Sequence, residues 1–592
     1  MSSAARTTPE AVLEHISTPL AVITKLFEDQ GIQDGSDYRP QEFSRLVRDH
    51  FQGAFADAET FKRIPVFSQP GAPKSGSLVR FRCMVQDPGY GEELHLSLAR
   101  AVNTETGEVQ QRFSQYTDAE HSLAEGWEVD YSSTGNVFTE KEVAYCVSVP
   151  GLSPWAQLEA VASLESAMDA LSISAGSAEA GKPSGAVEVA EHKYPLRGER
   201  HSAALVKFYS PSTAPKVSTV IDVVGIYELG HNSRTQDADE EKAAWPCIHA
   251  IYHVGLSSGG LVPGARVPAC GEYAGLRDMC QAHLASVLGG DDLAAQYLLL
   301  HLLSRTVRVQ DAKVGKFSLN LIGIPAQDKA PTEPARFAFS SPASRWIGDA
   351  IAQLVPRSVE IPFDLKLLNR AAFVPSAEQG DLQAGVLQLP ADTEVICDET
   401  CLHEGTLDEG GVRNLHALQT AILSQSIAYI YPFQHIEMQA NLRVLVLSVG
   451  KSILQNDCDL HLSKDAAQFL ARLQAGGAAD LRPLDPMHTE QLRQYLEAAR
   501  SLDFTIPKDV SDGISGEYAS MRRNAHEQGG QLMTQEDLAL AVTVARLVSI
   551  SKGEAELTLA SWQEACALEQ RRKERAASAK RAQPASSSPP PL

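Results

Sequence analysis

Between Asp291 and Arg305 the chain runs through Leu293, Ala294, Ala295, Tyr297, Leu298, Leu299, Leu300, Leu302 and Leu303 with almost no polar face. A helix that is apolar all round offers no side to water, so other elements must enclose it. The enclosing material follows downstream. Short apolar runs at Lys316–Pro325, Ser358–Phe363, Thr393–Glu399 and Asn441–Val449 read as strands, and Trp346–Val355 reads as a helix. Strands apolar on both faces that alternate with helices predict a central α/β sheet covered on both sides.

Upstream the pattern differs. Val12, Ile16, Leu20, Ile23 and Phe27 recur at helical spacing, which predicts one helix over residues 9–31 ending at Gly31. Strand patterning occupies Leu78–Val85, Tyr145–Val149, Ala204–Phe208 and Thr219–Tyr227. Residues 156–190, rich in Ala, Ser, Gly and Glu and without aromatics, split this β region and read as a solvated linker. Two β segments with a glycine that tolerates a bend suggest a small barrel, with a generic sandwich as the alternative. From Ala466 onward the chain reads helical. Thr534 and Asp537 form a capping-box start for Leu538–Ile550, and the last helix begins at Thr558 or Ser561. After about Arg575 the composition is Ala, Ser and Pro, which predicts disorder.

Charge narrows the function. There are 52 Lys and Arg against 74 Asp and Glu, a net charge of -22. Such a body repels phosphate backbones at long range, so general DNA binding is disfavoured and basic protein surfaces are the better partners. The basic exception is the tail, where Arg571-Arg572-Lys573 and Lys580-Arg581 read either as a nuclear-import patch or as a helix end complementing its dipole. The nine cysteines form no C-x-x-C pair, and no basic region followed by an apolar run opens the chain, so reduced thiols in a cytosolic or nuclear protein are expected. No window approaches 18 consecutive apolar residues, the length a membrane span needs.

The clearest candidate for chemistry is Asp398-Glu399 at the end of an apolar strand. Many ATPases place a Mg2+-holding and a water-activating carboxylate in this way, although solvated acids at a strand end look the same in sequence. A phosphate cradle is missing. Gly315-Lys316-Phe317 lacks the Ser or Thr after lysine, has Gln310 where the first glycine belongs, and precedes its strand. The loop after that strand holds one glycine, Gly323, and Pro325 removes an amide. Cys397, Cys401 and His403 have no convincing fourth ligand, so no metal is expected. Aromatics are not interleaved with basic residues, so no base-stacking strip is evident.

Many strings in order carry a resemblance: Ser17–Ile23, Leu78–Asp87, Tyr145–Gly151, Asp222–Tyr227, Leu293–Leu302, Gly315–Leu321, Gly385–Thr393, Asp398–Leu407 and Met521–Asn524. On these the chain resembles the minichromosome maintenance (MCM) complex-binding protein family, including its plant form, over roughly residues 15–575. The resemblance implies a nuclear, chromatin-associated protein that binds MCM helicase subunits, assembles, stabilises or unloads that helicase in DNA replication, and serves sister-chromatid cohesion. That family is in turn similar to the helicase subunits themselves. Gly289–Leu303 is similar to the helix ahead of their nucleotide site, Gly385–Glu399 to their run into the Asp-Glu pair, and Leu492–Arg500 through the Thr534 helix to their lid. The departures fall on the reacting groups. The loop lysine is missing, Ser448-Val449-Gly450 stands where the Asn sensor belongs, Glu536 stands at the Arg sensor, and Asp457 at the arginine finger. Acids there would repel ATP rather than stabilise transition-state charge.

The expected protein is therefore α/β and multi-domain, with an OB-like β-barrel N-terminal half, a degenerate AAA+-like domain and a helical lid. The expected plan is a helical region at 1–70, OB-like parts at 71–155 and 193–270 around a disordered linker at 156–192, the AAA+-like domain at 271–462, the lid at 463–575 and a disordered tail at 576–592. It is expected to be no enzyme, with Asp398 and Glu399 a vestigial and inactive pair. No cofactor, metal, direct nucleic-acid contact or membrane contact is expected. An active ATPase of the same fold and an OB-type nucleic-acid binder are the alternatives.

Overall fold

A computed structural model of the chain describes residues 9–32, 35–67, 73–118, 126–157, 190–209, 215–230, 245–257, 259–262, 268–269, 271–309, 312–327, 337, 341–378, 380–477, 485–527 and 534–582. The backbone divides into two compact units, one spanning 1–149, 157–194 and 198–256, the other 150–156, 195–197 and 257–592. The expected linker lies outside the described residues over 158–189, and the tail lies outside them over 583–592.

The first unit opens with α1 (Pro9–Ser17), α2 (Pro19–Glu28), α3 (Pro40–Ala54) and α4 (Ala58–Lys62). The single helix expected over 9–31 is thus two. Pro19 has no amide to continue α1 and instead takes the first turn of α2, with Thr18 non-helical at φ -139°. Eight strands follow: β1 (Leu78–Asp87), β2 (Glu92–Asn103), β3 (Val109–Phe113), β4 (Trp127–Val129), β5 (Val137–Ser148), β6 (Ala203–Phe208), β7 (Val220–Gly230) and β8 (Trp245–Gly255). β1 pairs antiparallel with β7, β7 antiparallel with β8, β8 parallel with β6, β6 antiparallel with β5, and β5 antiparallel with β1. The path of pairings returns to its start, and β2 extends from β5 with β3 and β4 beside it.

Alternation assigns the two faces of these strands. Val79, Phe81, Cys83 and Val85 of β1 cluster with Ala144, Cys146, Ala204, Val206, Ile221, Val223 and Ile248. The opposite parity, Leu78, Val224 and Ile226, packs instead with Val12, Ile23, Phe27, Val47 and Phe51 of the helices. Gly225 sits where β7 shifts register against β8, and a Cβ there would lie 2.4 Å from the His249 carbonyl oxygen, so only glycine fits that approach.

The second unit is built on β11 (Leu319–Ile322), β12 (Ser358–Pro362), β13 (Glu394–Asp398), β16 (Arg443–Ser448) and β17 (Cys458–His461). All pairs are parallel, in the order β12-β13-β16-β11-β17. Two small hairpins, β9 (Val307–Val309) with β10 (Ala312–Val314) and β14 (Ser426–Tyr431) with β15 (Gln434–Gln439), stand apart from it. Its helices are α5 (Tyr273–Val287), α6 (Asp292–Leu303), α7 (Pro342–Leu354), α8 (Leu365–Arg370), α9 (Glu409–Ser424), α10 (Lys464–Gln474), α11 (Pro486–Arg500), α12 (Lys508–Glu527), α13 (Gln535–Ser551) and α14 (Leu559–Ala582). Every residue of α6 from Leu293 to Leu303 is buried, as its all-round apolar surface requires. One core joins α6 to the sheet through Leu319, Leu321, Ile396 and Leu445, and to the expected lid through Tyr495, Val544 and Trp562.

Polar ties fix this packing. Asp291 caps α6 through the Ala294 amide at 3.0 Å, accepts from the Ser463 amide at 2.7 Å, and meets Arg575 of α14 at 2.7 Å. Glu394 of β13 is fully buried between His301 of α6 at 2.6 Å and Arg443 of β16 at 3.0 Å. Burial alone would raise its carboxyl, but the imidazole and guanidinium hold it below the ordinary glutamate range. α14 continues to Ala582, so the disordered tail expected from 576 starts too early; alanines sustain the helix and Arg575 anchors its last turns. Arg572 and Lys573 pair with Glu569 and Asp537, so two of the five basic residues of the expected import patch are engaged in local ion pairs.

Leu299→Asp, a charge placed unpaired at a side chain with no exposed surface, is expected to cost several kcal/mol and unfold the second unit. Loss of its cooperative thermal transition and rapid proteolysis after 257 check this. Glu394→Gln leaves Arg443 without its buried counter-charge and is expected to lower unfolding free energy by about 3–5 kcal/mol, read by denaturant titration.

Candidate functional site

In an open parallel sheet, ligands gather outside the carboxyl ends of the strands where strand order reverses. Here that point lies at β11: its chain successor β12 runs at the far edge, whereas β16 and β17 flank it. The groups around it are Gly323 after β11, Asp398-Glu399 at the end of β13 and Ser448-Val449-Gly450 at the end of β16. The expected acid pair and the expected sensor position are therefore neighbours in space.

Each of these groups is engaged by the chain itself. Asp398 is fully buried and accepts from the Thr400 amide at 3.0 Å, the Thr400 hydroxyl at 2.6 Å and the Cys401 thiol at 3.4 Å. Burial raises its pKa, and these donors together with Ser344 only partly offset that rise. Glu399 accepts from the Ser452 hydroxyl at 2.7 Å and the Ile453 amide at 3.3 Å, and burial pushes its carboxyl up to about 7. The loop after β11 turns its amides inward. Gly323 and Ile324 both donate to the Ser448 carbonyl, at 2.9 and 3.1 Å, and Gln327 donates to the Thr400 carbonyl at 3.1 Å. With Pro325 lacking an amide, the described part of the loop, through residue 327, offers little that could cradle a phosphate.

The remaining candidates are dispersed. Lys316 forms an ion pair with Asp457, which also accepts from the Ser318 amide at 2.9 Å, so the loop-like lysine and the finger position neutralise each other before β11 begins. Ser448 lies 2.7 Å from Asn320 within the sheet. Glu536 is exposed in the first turn of α13, beside the Thr534–Asp537 capping box, where an acid suits the helix dipole. Cys397 is buried within β13, while Cys401 bonds Asp398 and Gln327, and His403 bonds the Cys401 carbonyl. Among the described residues no three His, Cys, Asp or Glu side chains are grouped to hold a metal.

A polar cluster in the first unit escaped the sequence reading. Lys207 reaches Asp118 at 2.6 Å and Glu93 at 2.9 Å, Lys141 reaches Asp118 at 2.6 Å, and His249 stands 3.4 Å from Glu228. Burial would raise Asp118, but His249, Lys141 and Lys207 hold its carboxyl well below the usual range. These lysines are enclosed and neutralised, so they present no charge to a nucleic-acid backbone. The signal was absent from sequence because the partners come from six separate segments. Thr400, Ser344, Ser452 and Gln327 were missed as well; only Thr400, two residues past an aspartate, carries a local turn signal.

These features describe a mixed α/β protein of several elements per unit whose acidic pair serves its own backbone. A family model described as Mini-chromosome maintenance replisome factor matches residues 51–179 and 165–576. The chain belongs to that family. It is 28% identical to the Mini-chromosome maintenance complex-binding protein of Salmo salar over 95% of this chain and 97% of that protein. The protein of the same name from Homo sapiens is 26% identical, over 95% and 97%, and that from Arabidopsis thaliana 27%, over 89% and 93%. All three are named for binding, and none for catalysis. Among the described residues no helix is long and apolar enough to cross a membrane.

Glu399 carries a pH-dependent consequence. An unfolded glutamate releases its proton near 4.5 and the folded Glu399 near 7. Between those values the folded chain holds the extra proton, so stability falls as pH rises through that window. Glu399→Gln keeps an oxygen for Ser452 and removes the titration. It is expected to match the parent at pH 4.5 and to exceed it at pH 8 by about 1–3 kcal/mol in denaturant unfolding.

Proposed function

We propose that this chain is a non-catalytic binding partner of the MCM helicase subunits. The likeness along nearly its whole length to relatives named for binding that complex carries the reading. The engaged state of Asp398 and Glu399 and the inward amides of the loop after β11 support the absence of ATP turnover. The closed path of pairings in the first unit favours an OB-like barrel. The parallel order with β11 inside the sheet, and the helices after it, favour a degenerate AAA+-like domain with its lid.

In this reading the protein works in assembly, stabilisation or unloading of the helicase during DNA replication, in the nucleus and on chromatin, and contributes to sister-chromatid cohesion. Ring subunits of this kind meet head to tail through two different faces. A relative that keeps one face and alters the other holds subunits in an open form. The net charge of -22 steers it toward basic subunit surfaces rather than toward DNA.

Two measurements test this. Radiolabelled ATP is expected to show no turnover above buffer, and turnover abolished by Glu399→Gln would overturn the non-catalytic reading. Mixing the chain with a complete set of subunits and resolving complexes by size is expected to give species that contain this chain and lack at least one subunit. A stable closed hexamer carrying this chain would make it a peripheral adaptor instead.

A further inference from the structure

The second unit holds a cavity of about 250 Å³ beside α8. Its floor is apolar: Leu367, Val386 and Phe337 are buried side chains that line it. Its rim is basic, with Arg197, Lys366 and Arg370 exposed around the opening. Among the described residues no acidic side chain lines it, and none of the three cations takes part in an ion pair. In a chain with 74 acids against 52 bases, a basic rim free of acids runs against the average surface.

The arrangement has a cost that folding does not explain. Lys366 and Arg370 stand four residues apart on the same face of α8, a spacing at which like charges repel. A third cation, Arg197, arrives from a distant segment and adds to that repulsion. An anionic occupant would relieve all three. Guanidinium groups grip carboxylates through paired hydrogen bonds, which suits Arg197 and Arg370 to acidic side chains. The volume lies below the roughly 300–1,000 Å³ of ordinary small-molecule sites and fits a single apolar side chain used as an anchor.

We propose that this cavity docks an acidic peptide segment, with one apolar side chain on the Leu367–Val386–Phe337 floor and flanking carboxylates on Arg197, Lys366 and Arg370. That the segment belongs to a helicase subunit rests on the function proposed above; the chemistry of the cavity rests on its own residues.

The test uses the full chain and a short fluorescent peptide carrying one leucine between aspartates and glutamates, followed by anisotropy. Saturable binding is expected, weakening as salt rises. The combined variant Arg197→Glu, Lys366→Glu, Arg370→Glu is expected to lose about tenfold or more in affinity, as is the parent chain when serine replaces the peptide leucine. The three substituted side chains are exposed, so unchanged thermal unfolding confirms that the variant is folded; a milder set with glutamine at the three positions is expected to fall between. Absence of saturable binding, equal binding by the charge-reversed chain, or equal binding of the serine peptide would overturn the proposal. Tighter binding of a single-stranded oligonucleotide than of the peptide would overturn it too. The same variants enter the subunit-mixing experiment. A parent chain that takes the peptide but no subunit overturns the helicase reading and keeps the cavity. A chain that takes subunits equally with and without the three charges keeps the helicase reading and removes the cavity from it.

Discussion

A carboxylate with no exposed surface, Glu394, joins three elements of the second unit. It lies on β13, bonds His301 of α6 on one side and Arg443 of β16 on the other, and so locks the buried helix to two central strands. A buried charge is tolerable only when its partners are in place, so the trio has one acceptable geometry. The apolar side chains of α6 carry little directional information, because they cover nearly every face of the helix. His301 supplies that direction by also bonding the Phe317 carbonyl at 2.8 Å ahead of β11. The hydrophobic effect drives the helix inward, and the polar trio decides how it sits.

The same economy explains the acid pair. Asp398 and Glu399 stand where a parallel sheet would present groups to a ligand, yet the donors they meet come from residues 344, 400, 401, 452 and 453 of the chain itself. Hydrogen bonds to a carboxylate in a dry setting hold the neighbouring loops in place. Both carboxylates thus spend acceptor positions on their own chain. Asp291 repeats the theme on a larger scale by tying the starts of α6 and α10 to the far end of α14.

Legibility followed sidedness. Strands buried on both faces, such as β13 and β16, stood out as apolar runs. β2, with its exposed and half-exposed acids, and β8, interrupted by Pro246, His249 and His253, did not. Thr534 declared its capping box because the partner lies three residues away, whereas the lysines of β5 and β6 hid their acids because Asp118 and Glu93 are distant in sequence. The split at Pro19 was available in the residue itself and was outweighed by an unbroken apolar period.

By itself the sequence determined which segments must leave water, because apolar periodicity is a property of neighbours along the chain. It also set the family, through strings in order along nearly its whole length, and the absence of a glycine-rich phosphate-loop pattern, which is a matter of residue identity. Only the tertiary structure decided that the strands of the first unit pair in a closed path, that Asp398 and Glu399 are already bonded, and that Arg197 joins Lys366 and Arg370 around one cavity. Each of these depends on groups far apart in the chain, and such encounters are set by packing and closure rather than by any local pattern.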